Sequence, residues 1–142
     1  MAEDLNDDRE IRALLGSART VAVVGLSPDP SRGSHEVAAY LQEHGMRVIP
    51  VNPMVDEVLG ERSYARLTDI PATVRVDIVD VFRRAEETPA IARDAVAIGA
   101  TALWLQEGIV NDEAAMIALE AGLDVIMGVC IRQTRRRVMG ES

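Results

Sequence analysis

The sequence predicts an α/β fold, a doubly wound domain built on a mostly parallel sheet. The first observation behind this is a pattern that recurs three times, in which an amphipathic stretch ends at a Gly and an apolar run follows: 41–45 before 47–51, 95–99 before 101–105, and 118–122 before 124–127. Gly45, Gly99 and Gly122 stand where helices end in a left-handed residue. The second observation is that each run is apolar on both faces, as strands covered by two helix layers must be. The third is that two further runs, 20–25 and 77–82, alternate with helical stretches. Right-handed crossovers then place all these strands in one parallel sheet.

Taken in order, residues 7–17 predict a leading helix and 20–25 the first strand. Val37, Ala38 and Leu41 share one helical stripe, which leads through Gly45 into the second strand at 47–51. Segment 57–74 holds Leu59-Gly60 and Ile70-Pro71 and is too broken for a long element, so it predicts only a short third strand at the edge, near 62–65. The fourth strand is 77–82. Thr88-Pro89 then supplies an N-cap and a Pro at the first helical position, ahead of the stripe Ile91, Ala92, Ala95, Val96 and Ile98. The fifth strand, 101–105, precedes Asn111-Asp112-Glu113, a cap followed by two acids where the helix dipole favours them. Ala114, Ile117, Ala118 and Ala121 form that helix's stripe, and 124–127 is the sixth strand. The tail, with Arg132 and Arg135-Arg136-Arg137 against Glu141, reads as a solvated charge run that frays or covers the surface. The expectation is therefore one Rossmann-like domain over 1–142, strand order 3-2-1-4-5-6, with its core at about 10–131 between an acidic N-terminal and an Arg-rich C-terminal extension.

Composition narrows the function. The 15 basic against 23 acidic side chains leave a net charge of −8, which repels polyanions and argues against nucleic-acid or anionic-membrane binding. Any anionic ligand must be met by a local cluster. All 15 basic side chains are Arg, so Schiff-base chemistry, a phosphate-loop lysine and Ser-Lys pairs are excluded. A single Cys, Cys130, excludes a disulfide framework and a multi-Cys metal cluster, and no metal site is expected. The first ten residues carry five acids and one Arg, the reverse of a signal peptide, and apolar runs stop at about six residues. Membrane spans need ~20. A cytoplasmic protein is expected.

In such a sheet ligands lie beyond the carboxyl ends of the strands. The first loop runs Gly25-Leu26-Ser27-Pro28-Asp29-Pro30-Ser31-Arg32-Gly33-Ser34 into a helix N-terminus, where free N–H groups and the dipole attract an anion and Arg32 adds a fork of donors. A plain capping loop is the alternative. The dinucleotide fingerprint G-x-G-x-x-G is absent because Ser27 takes the second Gly position, and a G-x-S-x-G elbow fails at Asp29. The second strand ends in Asn52-Pro53, where an NAD site would offer an acid to the ribose. After the fourth strand come Phe82-Arg83-Arg84, one aromatic and two guanidiniums suited to phosphate. The fifth ends in Gln106-Glu107-Gly108 and contains Trp104, expected in the core or a pocket wall.

Together, Gly25-Leu26-Ser27 with Pro30-Ser31-Arg32, Val48 to Pro53, Glu57-Val58-Leu59-Gly60, Val79 to Arg84, Trp104 to Gly108 and Ala121-Gly122-Leu123 resemble the small bacterial CoA-binding domain family. That family is similar to the N-terminal nucleotide-binding domain of the succinyl-CoA ligase α subunit. The resemblance implies that Gly25, Ser27, Ser31, Arg32, Gly33 and Ser34 hold the pyrophosphate of CoA, Asn52 and Pro53 the adenosine side, and Phe82, Arg83, Arg84 and Gln106 the remaining rim. The sequence departs from the family at 127–131, where relatives often carry an acid and an Arg before the Cys.

The expected function is binding of coenzyme A or an acyl-CoA without catalysis. The alternatives are a nicotinamide-dinucleotide oxidoreductase or redox sensor, and a ligase subunit needing a partner chain. His35 and His44, at the two ends of one helix, lack an acidic partner in a spacing that suggests a dyad. Glu107 is the one acid whose place at a strand end would suit a base, and a solvated loop acid is its other reading.

Overall fold

The structure, a computed structural model, describes residues 7–140. Five parallel strands, β1 (Thr20–Val24), β2 (Arg47–Val51), β5 (Ile78–Val81), β6 (Ala102–Leu105) and β7 (Asp124–Met127), form a sheet in the order β2-β1-β5-β6-β7. Between them, β3 (Glu57–Val58) and β4 (Glu61–Arg62) make a small antiparallel pair. The helices are α1 (Asp8–Ser17), α2 (Gly33–Glu43), α3 (Thr88–Ala97), α4 (Asp112–Glu120) and α5 (Ile131–Val138).

Two apolar layers result from the alternation of side chains along each strand. Val21, Val23, Ile78, Trp104 and Ile126 pack with Leu15 of α1, Leu41 of α2 and Ile131 of α5. On the opposite face Ala22, Val79, Val81, Leu103 and Val125 meet Ala92 and Ala95 of α3 and Ala114 and Ala118 of α4. Helices thus cover both faces of a parallel sheet, as the sequence predicts. Trp104 is fully buried and its Nε1 donates to the Val129 carbonyl at 2.9 Å, which makes it core.

The expected order 3-2-1-4-5-6 needs correction at one edge. Where a third strand was expected, only Tyr64 makes a parallel bridge to Val51, its N–H donating to the Pro50 carbonyl at 3.0 Å and its carbonyl accepting from Asn52 at 2.8 Å. Pro50 explains the shortfall. Its carbonyl points outward to Tyr64, so an amide hydrogen there would point outward too, and proline has none. The chain just before Tyr64 pairs within the β3–β4 hairpin instead, across Leu59 and Gly60, both at positive φ (54° and 77°) as a tight hairpin turn requires.

Two local expectations also change. Thr88 is the first residue of α3 and does not cap it as an acceptor; its hydroxyl donates to the Ala85 carbonyl at 2.6 Å. Asn111 does cap α4, accepting from Ala114 at 2.9 Å. The tail expected to fray or cover the surface is α5, with Ile131 and Thr134 buried, Arg135 and Arg136 over the Tyr40 ring at 5.8 and 5.1 Å, and Arg137 donating to Asp8.

One buried group conflicts with its surroundings. Asp80 lies in register between Val23 and Trp104 in the centre of the sheet, fully buried, and neither carboxylate oxygen has a hydrogen-bond partner. Burial pushes its pKa well above the ordinary 3.8, so the folded chain holds the proton that an unfolded chain releases. Its contribution to stability is therefore fullest below pH 3.8 and is lost as pH rises through the raised folded value. Asp80→Asn, which has no proton to lose, is expected to gain on wild type by on the order of 1 kcal/mol or more between pH 5 and pH 8, because the carboxyl's cost grows as pH rises above 3.8 and the amide's does not. Urea denaturation of both proteins at the two pH values checks this; a stability difference that is the same at both would refute it.

Candidate functional site

From β1 the chain crosses outward to β2, and from β5 onward it proceeds the other way to β6 and β7, so strand order reverses between β1 and β5. A doubly wound sheet opens a crevice at this point, outside the carboxyl ends of the strands. Gly25 and Phe82-Arg83 follow directly on these two strands. The Gly25 N–H donates to Val51 at 2.9 Å and the Phe82 N–H to Val24 at 2.9 Å, which draws three chain segments together. Gly25 has φ 87°, and a Cβ there would lie 2.8 Å from the Phe82 carbonyl oxygen and 2.9 Å from Cδ of Arg83. Only glycine fits.

The loop leaving Gly25 is shaped by its own short polar side chains. Ser34 Oγ accepts from the Ser27 N–H at 3.0 Å, Ser27 Oγ from Asp29 N–H at 3.1 Å, and Asp29 Oδ1 from Ser31 N–H at 2.9 Å and from the Ser31 hydroxyl at 2.8 Å. The Ser31 N–H, then its hydroxyl, holds the Asp29 pKa below the ordinary carboxylate range. The loop delivers the chain to α2, whose N-cap Arg32 makes no side-chain cap, so the first-turn N–H groups have no capping side chain there. Asn52 joins this loop to the end of β2, its Nδ2 donating to Leu26 at 2.9 Å while its Oδ1 accepts from Met54 at 2.9 Å.

Two cavities flank the switch point on opposite faces of the sheet. One, of about 440 Å³, lies on the α3 side among Gly25, Pro53, Arg66, Arg83, Glu87 and Ile91. The other, of about 460 Å³, lies on the α2 and α5 side among Gly33, Phe82, Arg84, Gln106, Cys130 and Arg132, and Arg83 borders it as well. Arg83 is therefore the partition between them. Gln106 is buried and spends its Oε1 on the Ile131 N–H at 3.0 Å, capping the start of α5. Glu107 beside it is exposed. Of the residues expected to bind ligand, Gly25, Pro53, Gly33, Phe82, Arg83, Arg84 and Gln106 thus line one cavity or the other. Ser27, Ser31, Arg32, Ser34 and Asn52 line neither and form or brace the loop beside them.

Sequence reasoning missed three charged residues at this edge. Arg66 lies in the broken segment and reaches Asp94 of α3 through Nη2 at 3.0 and 3.2 Å. Glu87 holds both Arg83 and Arg84, and the Arg83 guanidinium above all keeps its carboxyl below the ordinary range. Arg132 stands in the second cavity's wall. The Ser27-x-Asp29-x-Ser31 spacing could have revealed Asp29 as the organiser of its loop.

A family described as "CoA binding domain" matches residues 19–134. The uncharacterized protein YneT of Bacillus subtilis (strain 168) is 42% identical over 123 residues, covering 87% of this chain and 90% of that protein. A hypothetical protein from Pyrococcus horikoshii OT3 superposes with TM-score 0.91 at 37% identity, covering 96% of this chain and 95% of that one. The alpha subunit of the ADP-forming acetate–CoA ligase II of Pyrococcus furiosus is 39% identical over 67 residues, which is 46% of this chain but 15% of that subunit.

Gly25 and Gly33 provide a matched pair of tests. Gly25→Ala, at positive φ and in contact with the Phe82 carbonyl, is expected to destabilise the protein by on the order of 2 kcal/mol or more. A Cβ on Gly33 meets nothing within 4 Å, so Gly33→Ala is expected to stay within about 0.5 kcal/mol of wild type. Denaturation midpoints decide, and equal costs at the two sites would refute the crowding argument.

Proposed function

The chain belongs to the CoA-binding domain family, and from that premise we propose that it binds coenzyme A or an acyl-CoA at the β1/β5 switch point without catalysing a reaction. The observation that carries this is the pair of cavities divided by Arg83. CoA is a long ligand with a nucleoside at one end, a thiol arm at the other and phosphates between and beside them. A crevice with two chambers and cationic groups at their boundary suits that shape, and each chamber is within the ordinary size of small-molecule sites.

In this reading the 3′-phosphorylated adenosine occupies the α3-side cavity, against Pro53 and Ile91 and within reach of Arg66 and Arg83. The pyrophosphate crosses Gly25 and Gly33, where a side chain would obstruct it, and meets the N-terminus of α2 with Arg32. Ser27, Ser31 and Ser34 hold that loop, and Asn52 fixes it to β2. The pantetheine arm enters the second cavity past Phe82, Arg84 and Gln106. Local guanidinium charge offsets the chain's overall acidity over the ~10 Å within which charges are felt at ordinary ionic strength.

Of the residues suited to acid–base chemistry, His44 is engaged elsewhere and Glu107 stands as an exposed side chain in the wall of the second cavity. Nδ1 of His44 lies 2.8 Å from the Tyr40 carbonyl. The synthetic activity in the acetate–CoA ligase name belongs to a subunit of which the match spans 15%. Asn52, uncharged and committed to Leu26 and Met54, offers the ribose of NAD no acid.

Calorimetric titration with CoA, acetyl-CoA, NAD and ATP is the direct test. CoA is expected to bind at least about tenfold tighter than NAD, a difference of about 1.4 kcal/mol, and equal or tighter NAD binding would overturn the reading. Arg83→Ala is expected to weaken CoA by about 1.5–3 kcal/mol, the scale of a charge-assisted hydrogen bond to phosphate. Incubation with acetyl-CoA is expected to release no free thiol; steady release that Glu107→Gln abolishes would make the chain an enzyme.

A further inference from the structure

Arg83 and Arg84 meet the carboxyl edge with their charge already answered. Glu87, the residue before α3, accepts through Oε1 from Nε and Nη2 of Arg83 at 3.2 and 2.7 Å, and through Oε2 from Nε of Arg84 at 3.2 Å. It also stands in the wall of the α3-side cavity beside Gly25, and its side chain is 30% exposed. One carboxylate thus holds donors of two guanidiniums at the mouth of a cavity, with the exposed Glu86 carboxylate 3.5 Å from the same Arg84 Nε. The same donors fit phosphate, because guanidinium pairs with carboxylate and phosphate oxygens in the same forked manner.

We propose that Glu87 is a resident counter-anion, which a ligand's phosphate displaces to gain the donors of Arg83 and Arg84, so that Glu87 determines which anions the site accepts. The proposal rests on the CoA reading of this site. A ligand carboxylate gains little from the exchange, since one singly charged group replaces another. A phosphate or pyrophosphate brings more charge and more acceptor oxygens to the same fork and does gain. Glu87 also keeps two adjacent guanidiniums from binding every small anion in solution. If Glu87 instead only held Arg83 in a productive posture, its loss would weaken binding, so the two roles predict opposite signs.

The test compares wild type and Glu87→Gln in titrations with CoA, inorganic pyrophosphate and pantetheine, which carries no phosphate. An ion pair this exposed is worth little, so the expected gain is modest: about three- to tenfold tighter binding of CoA and pyrophosphate by the variant, with pantetheine unchanged. Equal or weaker pyrophosphate binding by a folded variant overturns the proposal, as does equal tightening of pantetheine. Thermal unfolding reports whether the variant is folded, and should it not be, Glu87→Asp, whose shorter arm cannot span both guanidiniums, is expected to change affinity in the same direction. A wild type that takes pyrophosphate but not CoA refutes the ligand reading, and the pyrophosphate titrations then decide the exchange on their own.

Discussion

The closeness of three backbones at Gly25 is the constraint on which the carboxyl edge depends. Its N–H reaches β2, the Phe82 carbonyl occupies the space where its Cβ would be, and the stem of Arg83 lies across it. Because β1 ends so close to β5, the chain must lift out of the sheet there, and the loop to α2 and the two cavities on either side of Arg83 follow from that lift. A larger residue would push β1 and β5 apart where they end. The close approach at Gly25 is therefore a main-chain feature, which varies less than side chains under substitution.

Polar side chains at this edge divide between holding the protein and facing the crevice, and several do the first. Asn52 ties Leu26 to Met54, Gln106 caps α5, and Asp29 gathers the N–H and the hydroxyl of Ser31. Side chains already satisfied inside the protein keep the loops in one shape before any ligand arrives, which lowers the ordering cost of binding. Arg32, Arg83 and Arg84 remain on the solvent side of that framework. The separation of scaffold from contact explains why a loop rich in serines spends its hydroxyls on its own backbone and on Asp29.

Most of the fold was legible because its signals are local. Gly45, Gly99 and Gly122 all have positive φ, as the helix-to-strand turns required, and Asn111 caps α4 as its position suggested. The missing third strand was not legible, since it depends on which way the Pro50 carbonyl points, and direction relative to a neighbour is a property of the folded sheet. That the tail is a helix was not legible for a similar reason: the arginines of α5 find Tyr40 and Asp8, 95 and 129 positions away. At the candidate site Phe82-Arg83-Arg84 stood out by chemistry at a predicted strand end. Arg66 and Glu87 did not, because nothing in their spacing distinguishes a surface ion pair from one at a cavity mouth. Asp80 reads in the sequence as one polar letter in an apolar run, and only its neighbours Val23 and Trp104 make it exceptional.

Pro50 has one more effect, on encounters between molecules. An uncovered outer strand of a sheet is a template on which another polypeptide can add itself, the first step toward β-aggregates. On the β2 side an incoming strand finds Tyr64 already seated, a hairpin closed on itself next to it, and no amide hydrogen at Pro50. The same residue that keeps the chain from completing its own third strand keeps foreign strands from supplying it.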